Sequence, residues 1–66
     1  MNIADRIQYL RKQKGYSQEE LADKVGVSRQ AVSKWENGSS DPSTTNLIAL
    51  ANLFDITPEE MLKEIH

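Results

Sequence analysis

Only Gly26, Val27 and Ser28 separate two segments whose apolar residues recur at helical spacing. The first segment opens at Ser17, with Glu20 three residues on, which is the pattern of a capping box. Its inward face is Leu21, Ala22 and Val25. The second is capped by Ser28, runs from Arg29 to about Asn37 and turns Ala31, Val32 and Trp35 inward. A link this short leaves no relaxed loop for an antiparallel pair, so the two helices must cross steeply. Tight αα-hairpins occur in many small domains, so the spacing alone does not select one function.

The rest of the chain is punctuated in the same way. Asn2 caps a first helix through Lys14, with Ile3, Ile7, Leu10 and the stem of Lys14 on one face, and Gly15 stops it. Ser39, Ser40 and Asp41 form a loop, because Pro42 pushes the residue before it out of helical angles. Ser43 caps a fourth helix on which Leu47, Leu50, Ala51 and Phe54 recur. Thr57 caps a fifth, with Pro58 at its first position and Glu60 completing another capping box. Ile56 and Leu62 are expected to be buried, with Met61 and Ile65 less firmly placed. Trp35 is read as core, and Tyr9 and Tyr16 as partly buried with surface hydroxyls. No segment alternates at period two, so the fold class is all-α, with five helices.

Sixty-six residues read as a single domain, 1–66, and such a domain buries only roughly 60% of its extended-chain surface. Nearly every apolar side chain must therefore face inward. The chain has no cysteine, so neither a disulfide nor a cysteine metal site can staple it. The longest apolar run, Leu47 to Ala51, is far short of the roughly 20 residues that span a bilayer. The chain start is not a secretory signal, and a cytoplasmic protein is the default expectation. An enzyme is not expected, since the only histidine is the terminal His66, read as a frayed end. No cofactor or metal is expected either.

The net charge of -2 is unevenly divided. Residues 1–34 carry Arg6, Arg11, Lys12, Lys14, Lys24, Arg29 and Lys34 against Asp5, Glu19, Glu20 and Asp23, a balance of +3. Residues 35–66 carry Lys63 against six acids, a balance of -5. This asymmetry hints at a polyanion meeting the first half, although small helical domains also become lopsided by chance.

The third helix would expose Arg29, Gln30, Ser33, Lys34 and Asn37. An α-helix fits the DNA major groove, where Gln can pair with adenine N6 and N7, and Arg or Lys with guanine O6 and N7. An ordinary polar helix face would use the same side chains. Gln18 stands at the start of the second helix, where free backbone N–H groups suit a phosphate. Asn37, Ser39 and Ser40 could serve the backbone at the far end. Ser17 and Ser28 are needed as caps, whatever else they touch. Arg11 and Glu36 have complementary charge and could tie the first helix to the third. Glu59 and Glu60 read as compensation of the helix dipole, not as a catalytic pair.

Together these residues resemble a known family. Leu10 to Ala22 (LRKQKGYSQEELA), then Val25 to Gln30 (VGVSRQ), Val32 to Gly38 (VSKWENG), Pro42-Ser43, and Leu47 with Leu50-Ala51 are similar to the Cro/phage-repressor-like, xenobiotic-response-element type of helix-turn-helix domain. The likeness runs from Ile3 to Leu62, and it is the combination at fixed spacing that is specific. The resemblance implies a compact five-helix repressor-like domain with the helix-turn-helix in helices two and three. It implies sequence-specific binding to a near-palindromic double-stranded DNA operator, as a homodimer at least on DNA, in transcription regulation.

Carried over by position, Arg29, Gln30 and Lys34 match the base-reading set, with Ser33 near enough to help. Gln18, Ser28 and Asn37 match backbone contacts, and Ser17, Ser39 and Ser43 flank them. Arg11 and Glu36 match the family's structural ion pair, and that arginine can also touch a phosphate. The helix begun by Pro42-Ser43 can face DNA with its N-terminus. Where some members place a basic residue after the asparagine-glycine, this chain has Ser39, Ser40 and Asp41, which weakens backbone attraction. The sensor or oligomerisation domain of many members is not found, so a minimal repressor, an excised domain and an antitoxin-like subunit all fit. No small-molecule ligand and no membrane partner are implied. The competing reading is a protein-interaction or antitoxin-like module, whose mark would be an exposed apolar patch of Leu53, Met61 and Ile65.

Overall fold

The computed structural model describes residues 2–63. Five helices follow in order: α1 (Ile3–Gln13), α2 (Gln18–Val25), α3 (Arg29–Asn37), α4 (Thr44–Leu53) and α5 (Pro58–Leu62). Each starts on a side chain that accepts a backbone N–H of the first turn: Asn2, Ser17, Ser28, Ser43 and Thr57 in turn. Two of these starts, at Ser17 and Thr57, are reciprocal capping boxes with Glu20 and Glu60. Every helix is thus begun by local chemistry that is readable before any packing occurs.

Packing then selects the arrangement. The core is Ile7 from α1, Leu21 and Ala22 from α2, and Val32 and Trp35 from α3. Leu50, Ala51, Phe54 and Met61 complete it from the second half. α3 lies against α1 and α2, α4 against α2 and α5, and α5 reaches back to α1. Among the described residues no polar or charged residue belongs to this core, which is apolar throughout. Gly26 turns the chain between α2 and α3 at φ 86°, ψ 34°, and its N–H closes α2 on the Ala22 carbonyl at 2.8 Å. That left-handed conformation suits glycine because a Cβ there is strained.

Three expectations are corrected here. Leu62 is not buried but 62% exposed, and Met61 takes the inward position at 1%. α5 is a five-residue helix of little more than one turn, so it sends one side chain to the centre and its neighbour points about 100° away. Tyr9 is 46% exposed, because Ala4 and Ile7 already occupy the inward stripe of α1. The stem of Lys14 does not extend that stripe: Lys14 is exposed, caps α1 and pairs with Asp55 at 3.3 Å. Ile65 and His66 lie outside the described residues.

Candidate nucleic-acid interface

The exposed face of α3 follows from its inward face. With Val32 and Trp35 buried, the side chains of Arg29, Gln30, Lys34 and Asn37 are left exposed and Ser33 half-buried. Neither Arg29 nor Lys34 has a salt-bridge partner among the described residues. The face therefore keeps two free cations and an uncommitted amide, at positions one, two and six of a single helix.

The ends of the neighbouring helices carry the remaining candidates. Ser17 Oγ accepts the Glu20 N–H at 3.0 Å, Ser28 Oγ the Ala31 N–H at 3.2 Å, and Ser43 Oγ the Asn46 N–H at 3.2 Å. Each cap uses a lone pair, so each hydroxyl proton stays available to an acceptor outside the helix. All three serines are exposed. Beyond α3, Asn37 Oδ1 accepts the Ser39 N–H at 2.8 Å, and the same N–H lies 3.0 Å from the Lys34 carbonyl. Asn37 thus shapes the loop with its oxygen and keeps its NH2 group free to donate.

Arg11 and Glu36 are brought together. Glu36 accepts Arg11 Nε at 2.7 Å on Oε2 and Arg11 Nη2 at 3.1 Å on Oε1, a forked pair. The Glu36 side chain is only 3% exposed and that of Arg11 11%. Two partners were not legible in the chain. Arg11 Nη1 donates to the Tyr16 carbonyl at 2.8 Å, and Gln18 Nε2 donates to Glu36 Oε1 at 3.2 Å. One carboxylate on α3 therefore holds both α1 and the first residue of α2. The only trace in the sequence is that Gln18 is the first helical residue after a cap, a position that projects freely until another helix crosses it.

The basic residues are reapportioned by folding. Four of the seven in residues 1–34 are engaged within the molecule. Arg6 donates to the Glu60 carbonyl at 2.8 Å and the Lys63 carbonyl at 3.3 Å, Arg11 holds Glu36, and Lys14 holds Asp55. Lys24 sits 5.1 Å from the centroid of the Tyr16 ring. Lys12, Arg29 and Lys34 have no such partner among the described residues. Of the three residues that would mark the competing protein-interaction reading, Met61 is in the core and Leu53 half-buried, and Ile65 lies outside the described residues.

Residues 7–61 match the family model described as helix-turn-helix. The chain is 39% identical over 62 residues to the transcriptional activator BcrR of Enterococcus faecalis, covering 94% of this chain and 30% of that protein. Its fold superposes with TM-score 0.89 on the c2 repressor of Salmonella phage P22 in complex with a synthetic operator, at 35% identity over 96% of both chains. It superposes with TM-score 0.85 on Bacillus subtilis SinR in complex with DNA, at 35% identity over 92% of this chain and 98% of that one. The chain spans 28% of the length of the P22 repressor and 59% of that of SinR. With the fold, the cap pattern and the α2–α3 turn, these matches show that the chain belongs to the Cro/phage-repressor-like helix-turn-helix family of DNA-binding domains.

Proposed function

We propose that this chain is a sequence-specific double-stranded DNA binder that regulates transcription, acting as a repressor where its site overlaps a promoter. α3 enters the major groove. Arg29, Gln30 and Lys34 read base edges, with Ser33 at the margin, and each good pairing contributes about 1–3 kcal/mol of discrimination. Gln18, Asn37, Ser39 and the hydroxyls of Ser17, Ser28 and Ser43 contact the phosphate backbone on either side. Arg11 adds a phosphate contact at the edge. The observation that carries this reading is the face of α3. It holds exposed Arg29, Gln30 and Lys34, none bonded to another described side chain, on a fold that matches a repressor solved with its operator.

Two copies bind as a dimer on a near-palindromic site. Successive major grooves on one side of the duplex are about 34 Å apart. The backbone spans 29 Å along its longest axis, comparable to the spacing of neighbouring grooves. Ile48 and Leu62 are exposed apolar side chains available to the dimer mate.

Selection of bound duplexes from a random pool tests the reading. A symmetric pair of half-sites centred about 10 base pairs apart, or a multiple, is the expected product. No enrichment, together with affinity insensitive to salt, would reject it. With the selected duplex in hand, Gln30→Ala should lose preference at one base pair by about 1–3 kcal/mol, measured by competition with single-base variants. Gln18→Ala should instead weaken all duplexes alike.

A further inference from the structure

We propose that Glu36, which faces no duplex itself, is a positioning residue that fixes the Gln18 amide for its backbone contact. The inference rests on the DNA-binding reading above. A carboxylate is acceptor-only, so the Gln18 group facing Glu36 Oε1 at 3.2 Å must be its NH2 and not its oxygen. This chemistry removes the usual ambiguity of a glutamine flip. One N–H is spent on Glu36, and the second remains as a donor of known orientation at the start of α2. A free glutamine at a helix start samples several rotamers and both amide orientations, and half of those orientations offer a phosphate an oxygen, which repels it.

Glu36 can serve this role because it is itself immobilised. Its side chain is 3% exposed, and the fork from Arg11 at 2.7 and 3.1 Å fixes the plane of its carboxylate. Arg11 is fixed in turn by the Tyr16 carbonyl at 2.8 Å, in the stretch that leads into the Ser17 cap. The chain of contacts runs from the end of α1, through α3, to the first side chain of α2. The amide is thus ordered when the protein folds and not when DNA arrives. Ordering one rotamer-rich side chain at an interface weakens binding by about 2- to 10-fold if it is left to the binding step.

A double-mutant cycle on DNA affinity measures this. The four proteins are the unaltered chain, Gln18→Ala, Glu36→Gln and the double variant. Each is titrated with the duplex recovered by selection and with an unrelated duplex of the same length, after circular dichroism has verified its fold. In the Glu36 background, Gln18→Ala is expected to weaken both duplexes. In the Glu36→Gln background that loss should shrink by about 2- to 10-fold, because a glutamine there offers either an oxygen or an NH2 and no longer fixes which group Gln18 turns outward. Equal losses in both backgrounds would overturn the proposal, since a merely structural Glu36 lowers affinity equally with or without the Gln18 amide.

If Glu36→Gln does not fold, the side-chain amide of Gln18 in the unaltered chain decides. One of its two NH2 protons, the one given to Glu36, is expected to exchange with water more slowly than the other in the free protein. Both protons exchanging as fast as those of a solvent-exposed glutamine would overturn it. Failure of the unaltered chain to bind any duplex rejects the DNA-binding reading itself, whereas binding with an additive cycle rejects only the role of Glu36.

Discussion

Asp55, just past the end of α4, is the non-glycine residue with positive φ (58°) among those described. Its N–H approaches the Asn52 carbonyl at 3.3 Å, and the following Ile56 N–H returns to the Ala51 carbonyl at 3.0 Å. These bonds belong to a helix C-terminus where glycine usually stands. Aspartate tolerates the left-handed conformation better than alanine. The contact with Lys14 at 3.3 Å adds little, because the pair is exposed. Asp55→Gly and Asp55→Ala both lose that contact, so their difference isolates the backbone. The glycine variant should be the more stable by about 1 kcal/mol, or roughly 4–8 °C in Tm, by thermal unfolding. Arg6 is a second residue whose role only its surroundings decide. It crosses from α1 to the carbonyls of Glu60 and Lys63, while its Nε is buried with no hydrogen-bond partner. Nothing in a basic residue at the fourth position of α1 distinguishes a cap for α5 from a phosphate ligand.

The helices themselves were legible almost to the residue. Asn2, Ser17, Ser28, Ser43 and Thr57 act through bonds to N–H groups three residues away, so no distant partner is needed. Gly26 is likewise a local signal. A Cβ there meets nothing within 4 Å, so Gly26→Ala tests the left-handed backbone alone. It should cost about 1 kcal/mol in denaturant unfolding without changing the m-value. α5 is where local signals stop being enough. Its cap and its proline were readable, but a helix of five residues has too few repeats to reveal its inward side: Leu62, expected inside, is exposed, and the less firmly placed Met61 is buried. Met61→Ala should therefore destabilise the protein by about 2–4 kcal/mol, whereas Leu62→Ala should stay within about 0.5 kcal/mol. Equal effects of the two changes would contradict the placement of α5.

At the scale of the whole molecule, charge carries the functional argument and folding alters it most. Residues 1–34 hold an excess of +3, which looks like a broad basic surface. In the structure Arg6, Arg11, Lys14 and Lys24 are turned to internal partners, leaving Lys12, Arg29 and Lys34 without one among the described residues. Few phosphates should then be neutralised by each copy. The slope of log affinity against log salt should be about -3 to -4 per copy, at roughly -0.9 for each of these three cations and for the edge contact proposed for Arg11. A slope steeper by about 0.9 or more would mean that Arg6, Lys14 or Lys24 leaves its partner on DNA, whereas Arg11→Met should flatten the slope by about 0.9.

Cap and stop residues, short loops and the repeat of apolar positions act over a few residues, so the sequence by itself determined the helices, most of the core and the exposed face of α3. Which polar groups meet across helices was decided only by the tertiary structure. Gln18 on Glu36, Arg11 on Tyr16 and Arg6 on the end of α5 join residues 5 to 57 positions apart. Long flexible side chains have many possible partners in an extended chain. Only the fixed crossing of α1, α2, α3 and α5 reduces them to the one or two observed for each.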